Sequence, residues 1–93
     1  MSYNSRKQLA YRQRRKDFLE SLKAKGCTDC KLIYPPYVME FDHARGEKLF
    51  NISMSLSKPM SKEKLLAELE KCDVVCCNCH AIRSYKRFNN IPL

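Results

Sequence analysis

The sequence predicts a small α+β domain held together by a bound metal more than by a large core. Three observations carry that expectation. Two Cys-x-x-Cys knuckles, Cys27-Thr28-Asp29-Cys30 and Cys76-Cys77-Asn78-Cys79, have the spacing of a tetrahedral four-thiolate site. Short β-type runs lie between and before the knuckles, flanked by segments of helical character. The chain has only 93 residues, and domains of that size bury too little surface to be secure without a staple. The organisation expected is a basic N-terminal helix or arm over 1–26 and a zinc-stapled unit over 27–93, one compact domain in all.

Residues 5–25 are good helix formers without Pro or Gly, and Gly26 stands where a C-terminal cap belongs. Leu9, Phe18, Leu19 and Leu22 make a narrow apolar stripe, while the first half of the segment is almost wholly polar. After the first knuckle, Leu32-Ile33-Tyr34 and Tyr37-Val38-Met39-Glu40-Phe41 are β-type runs separated by Pro35-Pro36. They read as a short hairpin or an extended excursion. The second run delivers Asp42 and His43 at its end, and Gly46 allows the loop over 44–48 to turn tightly. Some of Leu49, Phe50 and Ile52 are expected beneath that loop. Residues 53–60 are rich in Ser and Met, and Pro59 argues against regular structure. Ser61 is a natural N-cap for a helix over 62–71, with Glu63 in its first turn and Leu65, Leu66 and Leu69 on one face. Its alternating charges read as a solvated face. Asp73-Val74-Val75 is a short strand into the second knuckle. A last helix follows from about Cys79 to Arg87, with Ile82 inward and Arg83, Lys86 and Arg87 outward.

Eighteen Lys and Arg against ten Asp and Glu leave a net charge of +8. The excess gathers near the N-terminus, where Arg12, Arg14, Arg15 and Lys16 follow one another closely. A basic segment of this kind favours a polyanionic partner, most simply DNA or RNA, and its plain alternative is a solvated helix. No apolar stretch is long enough to span a membrane, and the N-terminal segment lacks the apolar centre of a signal peptide. The expected location is therefore cytoplasmic, a reducing compartment where six cysteines in this spacing point to metal rather than disulfides. Cys72 and Cys77 are surplus to the four ligands, one read as a small core residue and the other as solvent-facing.

An Asp-His step between the knuckles and a His directly after the last cysteine exceed what a structural zinc needs. The string Phe41-Asp42-His43-Ala44-Arg45-Gly46-Glu47-Lys48, followed by Lys71-Cys72-Asp73-Val74-Val75-Cys76-Cys77-Asn78-Cys79-His80, resembles the small zinc-stapled HNH endonucleases of phages and bacteria. The resemblance covers about residues 27–87 and implies the ββα-metal nuclease core. It implies a metal-dependent endonuclease hydrolysing DNA phosphodiesters, nicking with weak sequence preference. In that scheme Asp42 and His80 hold one catalytic cation and His43 is the general base. Asn78 binds the metal or, as the favoured reading, braces the loop carrying His43. Arg83 is the candidate for the scissile phosphate, with Arg45, Lys48, Lys86 and Arg87 as lesser phosphate contacts and the N-terminal helix clamping the DNA backbone.

The chemistry agrees with those residue types. Phosphodiester hydrolysis needs an activated water and neutralised phosphate charge, which an imidazole and one divalent cation supply. Side chains of neighbouring strand residues diverge, but at a strand's end, where the chain turns, Asp42 and His43 are expected to converge. Two positions depart from the family pattern. Ser84 stands where many relatives carry a further His, which favours Mg²⁺ or Mn²⁺ over a catalytic zinc. The middle Asn of the motif has no clear counterpart before Lys71-Cys72-Asp73. The alternatives are a non-catalytic zinc module that binds nucleic acid, and an assembly subunit partnering terminase or other phage packaging proteins. Ligation of the zinc by His80 in place of one cysteine is a further alternative.

Overall fold

A computed structural model describes residues 3–93; residues 1 and 2 of the expected N-terminal arm lie outside the described residues. Helix α1 spans Tyr3–Lys23, and Gly26 just beyond its end takes φ 96°. That is the left-handed conformation a helix terminus uses. Strand β1 spans Met39–His43 and β2 Cys72–Cys76. Between them lie α2 (Met54–Ser57) and α3 (Lys62–Leu69), and α4 (Cys77–Phe88) follows β2 without a break.

The two strands pair antiparallel, Met39 opposite Cys76 and His43 opposite Cys72. The expected local hairpin does not form. Leu32, Ile33 and Tyr34 are not in a strand, and Leu32 and Ile33 are exposed. Pro35 and Pro36 donate no amide hydrogens to a ladder, and Pro36–Val38 is instead one turn of 3₁₀ helix. The partner of Met39–His43 is supplied from beyond α3, where the second knuckle needs a strand to carry it.

The sheet has two faces because alternate side chains point opposite ways. Glu40 and Asp42 face α4; Phe41 and His43 face α3. On the α3 side Leu19, Ile52 and Leu65 form one buried cluster, with Phe18, Phe41, Phe50, Leu69 and Cys72 packed against it. A second cluster contains Cys27, Met39, Val75 and Cys76. Half of that second cluster consists of cysteines from the two knuckles, so the paired knuckles and the core overlap.

Ser61 caps α3, its hydroxyl accepting from the Lys64 amide at 3.1 Å. Residues 54–57 form a short helix where Pro59 argued for irregular chain. Pro59 lies beyond its end and does not interrupt it. α1 docks on this region from Tyr11 onward. Leu19 enters the core, Arg15 donates to the Met60 carbonyl at 2.7 Å, and Tyr11 donates to the Lys58 carbonyl at 3.3 Å. Leu9 is exposed, so the apolar stripe of α1 is used only at its C-terminal end.

The inward face of α4 is not apolar. Ile82 is 54% exposed, whereas Arg83 and Arg87 turn inward onto carboxylates. The sheet presents Asp42 and Asp73 directly opposite one another. Two carboxylates so placed repel unless a cation intervenes, and the basic stripe of α4 answers that charge.

Candidate functional site

The sulfur atoms of Cys27, Cys30, Cys76 and Cys79 all lie within 4.8 Å of one another. Cys30 Sγ and Cys76 Sγ are 3.9 Å apart, close to the edge of about 3.8 Å that a zinc with Zn–S bonds near 2.3 Å sets between its ligands. The knuckles turn back on themselves through amide–sulfur contacts. Cys30 N and Cys76 N donate to Cys27 Sγ at 3.5 and 3.3 Å, and Cys79 N donates to Cys76 Sγ at 3.4 Å. Against the cost of burial, these amides bring the Cys27 thiol down to about 6. Burial and the neighbouring sulfurs push Cys79 up to about 12. Cys27 is thus lowered while Cys30 and Cys79 are raised, the outcome of crowding several sulfurs at one point. This cluster fits a structural metal ion such as zinc.

The surplus cysteines behave differently. Cys77 is exposed, and burial raises Cys72 to about 11 where it packs against the α3-side core. His80 is not among the converging ligands.

Beyond the cysteines, α4 lies over Asp42, which is 3% exposed. Arg87 binds it through both terminal nitrogens, at 2.6 Å to Oδ1 and 2.8 Å to Oδ2, and Arg83 Nη1 reaches Oδ2 at 2.7 Å. Arg87, with Arg83 and His80 adding to it, holds the Asp42 carboxyl down at about 2 despite burial. The same Arg83 nitrogen donates to Asp73 at 2.9 Å, and the rest of its guanidinium grips Asp29 at 2.7 and 2.6 Å. Arg83 therefore has every terminal nitrogen engaged, tying the first knuckle, both strands and α4 together. The guanidinium expected on the scissile phosphate is here engaged by three carboxylates.

His80 lies beside this network. Its Nδ1 is 2.7 Å from Glu40 Oε1, and its Nε2 is 3.5 Å from Asp42 Oδ1. Glu40 fixes the Nδ1 side of the ring, which leaves Nε2 facing Asp42. Asp42 and His80, distant in sequence, are thus brought together. Asn78 is exposed in the first turn of α4 and makes no side-chain hydrogen bond among the described residues.

His43 does not join them. It is still within β1, paired with Cys72, so strand alternation holds to the last residue and its ring leaves on the opposite face from Asp42. The chain turns one residue too late for the two side chains to converge. The His43 ring meets Glu68 of α3 instead, Nε2 to Oε2 at 2.9 Å.

Sequence reasoning placed Glu68 on a solvated face, yet it is 1% exposed. Its charge is met by Lys71 Nζ at 2.9 Å on Oε1 and by the Leu49 amide at 3.0 Å on Oε2. Burial works against the ionised form, but Lys71, the Leu49 amide and His43 together hold the carboxyl down at about 2. The signal was available: Glu68 shares the helical spacing of Leu65, Leu69 and Cys72, the side that packs inward. Asp73 and Glu40 were also missed, and only strand register reveals that they share the Asp42 face.

The basic residues divide into two groups. Arg15, Arg45 and Arg87 are bound internally; Arg45 reaches Asp73 and donates to the Glu70 carbonyl at 2.7 Å. Arg12, Arg14, Lys16 and Lys48 are exposed and make no ion pair among the described residues. Lys86 lines a groove with Arg45 and Asp73 beside α4. No helix among the described residues is long and apolar enough to cross a membrane. Searches against family models, curated proteins and solved structures find no match to this chain.

Proposed function

We propose that this protein is a metal-dependent endonuclease of the HNH type that nicks DNA. The observation that carries the reading is the meeting of Asp42 Oδ1 and His80 Nε2 at 3.5 Å, with Glu40 fixing the far side of the imidazole. Carboxylate-backed histidine beside a second carboxylate is a metal-ligand arrangement. With only two protein donors, the ion would be one that keeps water, Mg²⁺ or Mn²⁺, and would neutralise phosphate charge. His43 is the proposed base, acting on a phosphodiester that lies across the end of β1. Arg12, Arg14, Lys16 and Lys48 supply the exposed charge for the DNA backbone. Arg15, Arg45, Arg83 and Arg87 are spent within the protein.

A specific observation favours a second reading, a zinc-containing nucleic-acid-binding module without catalysis. Both oxygens of Asp42 are already neutralised by Arg83 and Arg87. A purely structural role accounts for that residue without any added cation.

Nicking of supercoiled plasmid by zinc-loaded protein separates the two. The nuclease reading expects relaxation that requires added Mg²⁺ or Mn²⁺ and falls at least about 100-fold in a folded His43→Ala variant. Tight binding without cleavage in either metal would leave the binding module. Both readings expect affinity to fall with salt. Contacts from the four exposed cations would give a log–log slope of roughly −3 to −4, checked by titrating fluorescent duplex at several ionic strengths. A slope near zero would remove DNA as the partner.

A further inference from the structure

We infer that Glu68 is the positioning residue for His43, holding the imidazole with its proton on Nε2 and its lone pair on Nδ1. This deepens the nuclease reading and, as a catalytic role, rests on it.

A buried carboxylate requires partners that compensate for its lost hydration. Glu68 lies on the inward face of α3, and an apolar side chain there would pack at lower desolvation cost. Lys71 alone would balance its charge, so His43 is not needed for neutrality. Yet the carboxylate divides its work. Oε1 takes the Lys71 ammonium, while Oε2 takes both the Leu49 amide and the His43 ring. An ionised carboxylate only accepts, so the ring nitrogen facing it must donate. A neutral imidazole has a single N–H, and that contact therefore assigns the tautomer. Nδ1 has no hydrogen-bond partner among the described residues, and the ring is not fully enclosed, its side chain being 15% exposed.

The same carboxylate organises the approach to that ring. The Leu49 amide on Oε2 and the Lys71 ammonium on the Glu47 carbonyl at 2.7 Å pin the loop after β1 to the end of α3. The Ala44 and Arg45 amides both donate to the Lys71 carbonyl, at 2.8 and 3.2 Å. Ring orientation and loop position are thus set together by Glu68 and its partner Lys71. In the proposed step, a water O–H proton passes to His43 Nδ1 as the water oxygen forms its bond to phosphorus. The bridging P–O bond breaks and its oxygen takes a proton from solvent. The imidazolium keeps its Nε2–H on Glu68 and later returns the new proton to solvent.

The test has one arm independent of cleavage. Long-range ¹H–¹⁵N spectra of zinc-loaded protein, recorded where His43 is neutral, are expected to show the Nε2–H tautomer alone. In Glu68→Gln, the His43 signals should move toward a tautomer mixture. A wild-type ring that is Nδ1–H, or already mixed, would overturn the assignment. In the cleavage arm, Glu68→Gln with unchanged zinc content and melting should lose at least about tenfold in kcat at constant KM, and Glu68→Asp should recover part of it. Equal losses in both variants that track their folded fraction would reduce Glu68 to a structural residue. A fixed tautomer in a wild type that never cleaves would refute the nuclease reading and the catalytic role together, while the proton assignment stood.

Discussion

Withdrawing zinc with a strong chelator is expected to unfold this protein, and restoring zinc is expected to refold it. The reason lies in what the core contains. One of its two buried clusters is Cys27, Met39, Val75 and Cys76, of which two belong to the four-cysteine cluster. The other rests on Leu19, Ile52 and Leu65. A core this size supplies on the order of 3–5 kcal/mol, whereas a structural four-ligand zinc contributes roughly 10–16 kcal/mol of apparent binding energy near neutral pH. Without the ion, four thiol groups remain gathered where β2 meets α4, and the first knuckle is held there by the Arg83 clamp, the Thr28 amide on the Val74 carbonyl, the Cys76 amide on Cys27 Sγ and the small apolar cluster around Cys27. Circular dichroism and one-dimensional proton spectra, before and after chelation, provide the check. Cys76→Ser should behave like the stripped protein. Cys77→Ser, at an exposed position outside the cluster, should behave like wild type. A metal-free protein that keeps dispersed spectra would show that the apolar clusters suffice.

The second large effect is expected at Asp42. Among the described residues, replacing it by Ala removes the only carboxylate that Arg87 holds and one of three that Arg83 holds. Breaking a buried pair by deleting one partner costs about 3–5 kcal/mol, chiefly because the surviving charge is left without compensation. Arg87 is partly exposed and recovers some hydration, so the expected loss lies at the low end, about 3 kcal/mol. Asp29→Ala makes the comparison, since it removes a carboxylate from the same arginine at an exposed position. That change should cost no more than about 1 kcal/mol. Urea unfolding of zinc-saturated proteins measures both. Equal effects would mean that burial of Asp42 does not govern the network. A clear difference would establish the Asp42–Arg83–Arg87 cluster as the tie between α4 and the sheet, whatever the chemistry of the site.

The Asp42 result also bears on how a nuclease would use this residue. A carboxylate held at about 2 by two guanidiniums is fully ionised at neutral pH, as a metal ligand must be, but its lone pairs are shared. His80 Nε2 faces Oδ1, the oxygen that Arg87 Nη1 also contacts. Competition at Oδ1 gives the non-catalytic reading its force, and the plasmid assay decides between them.

Much of this arrangement was legible in residue order. The matched knuckles announced the thiolate cluster, Ser61 announced the start of α3, and Gly26 announced the end of α1. Each is a local signal in which a spacing or a cap residue meets its own backbone. Where the sequence reading failed, the deciding partner was distant. Leu32-Ile33-Tyr34 has β propensity, but a strand needs a neighbour, and Met39–His43 found its neighbour in Cys72–Cys76. Ile82 was expected inward because it is apolar. The face of α4 was chosen instead by Asp42 and Asp73 standing opposite each other across the sheet, a juxtaposition that exists only once the register is set. Glu68 looked solvated among alternating charges until His43, Lys71 and the Leu49 amide arrived from three different segments.

The chain order alone therefore determined a small α+β unit, the four-cysteine cluster that fits a structural metal, and a basic flank, because ligand spacing, capping and charge balance are written within a few residues. Tertiary structure decided the rest. It separated Asp42 from His43 onto opposite faces of β1, gave one to His80 and the arginines of α4, and gave the other to Glu68 of α3. Those outcomes follow from strand pairing and from which helix covers which face, and electrostatic compensation between distant segments has no local pattern from which to be read.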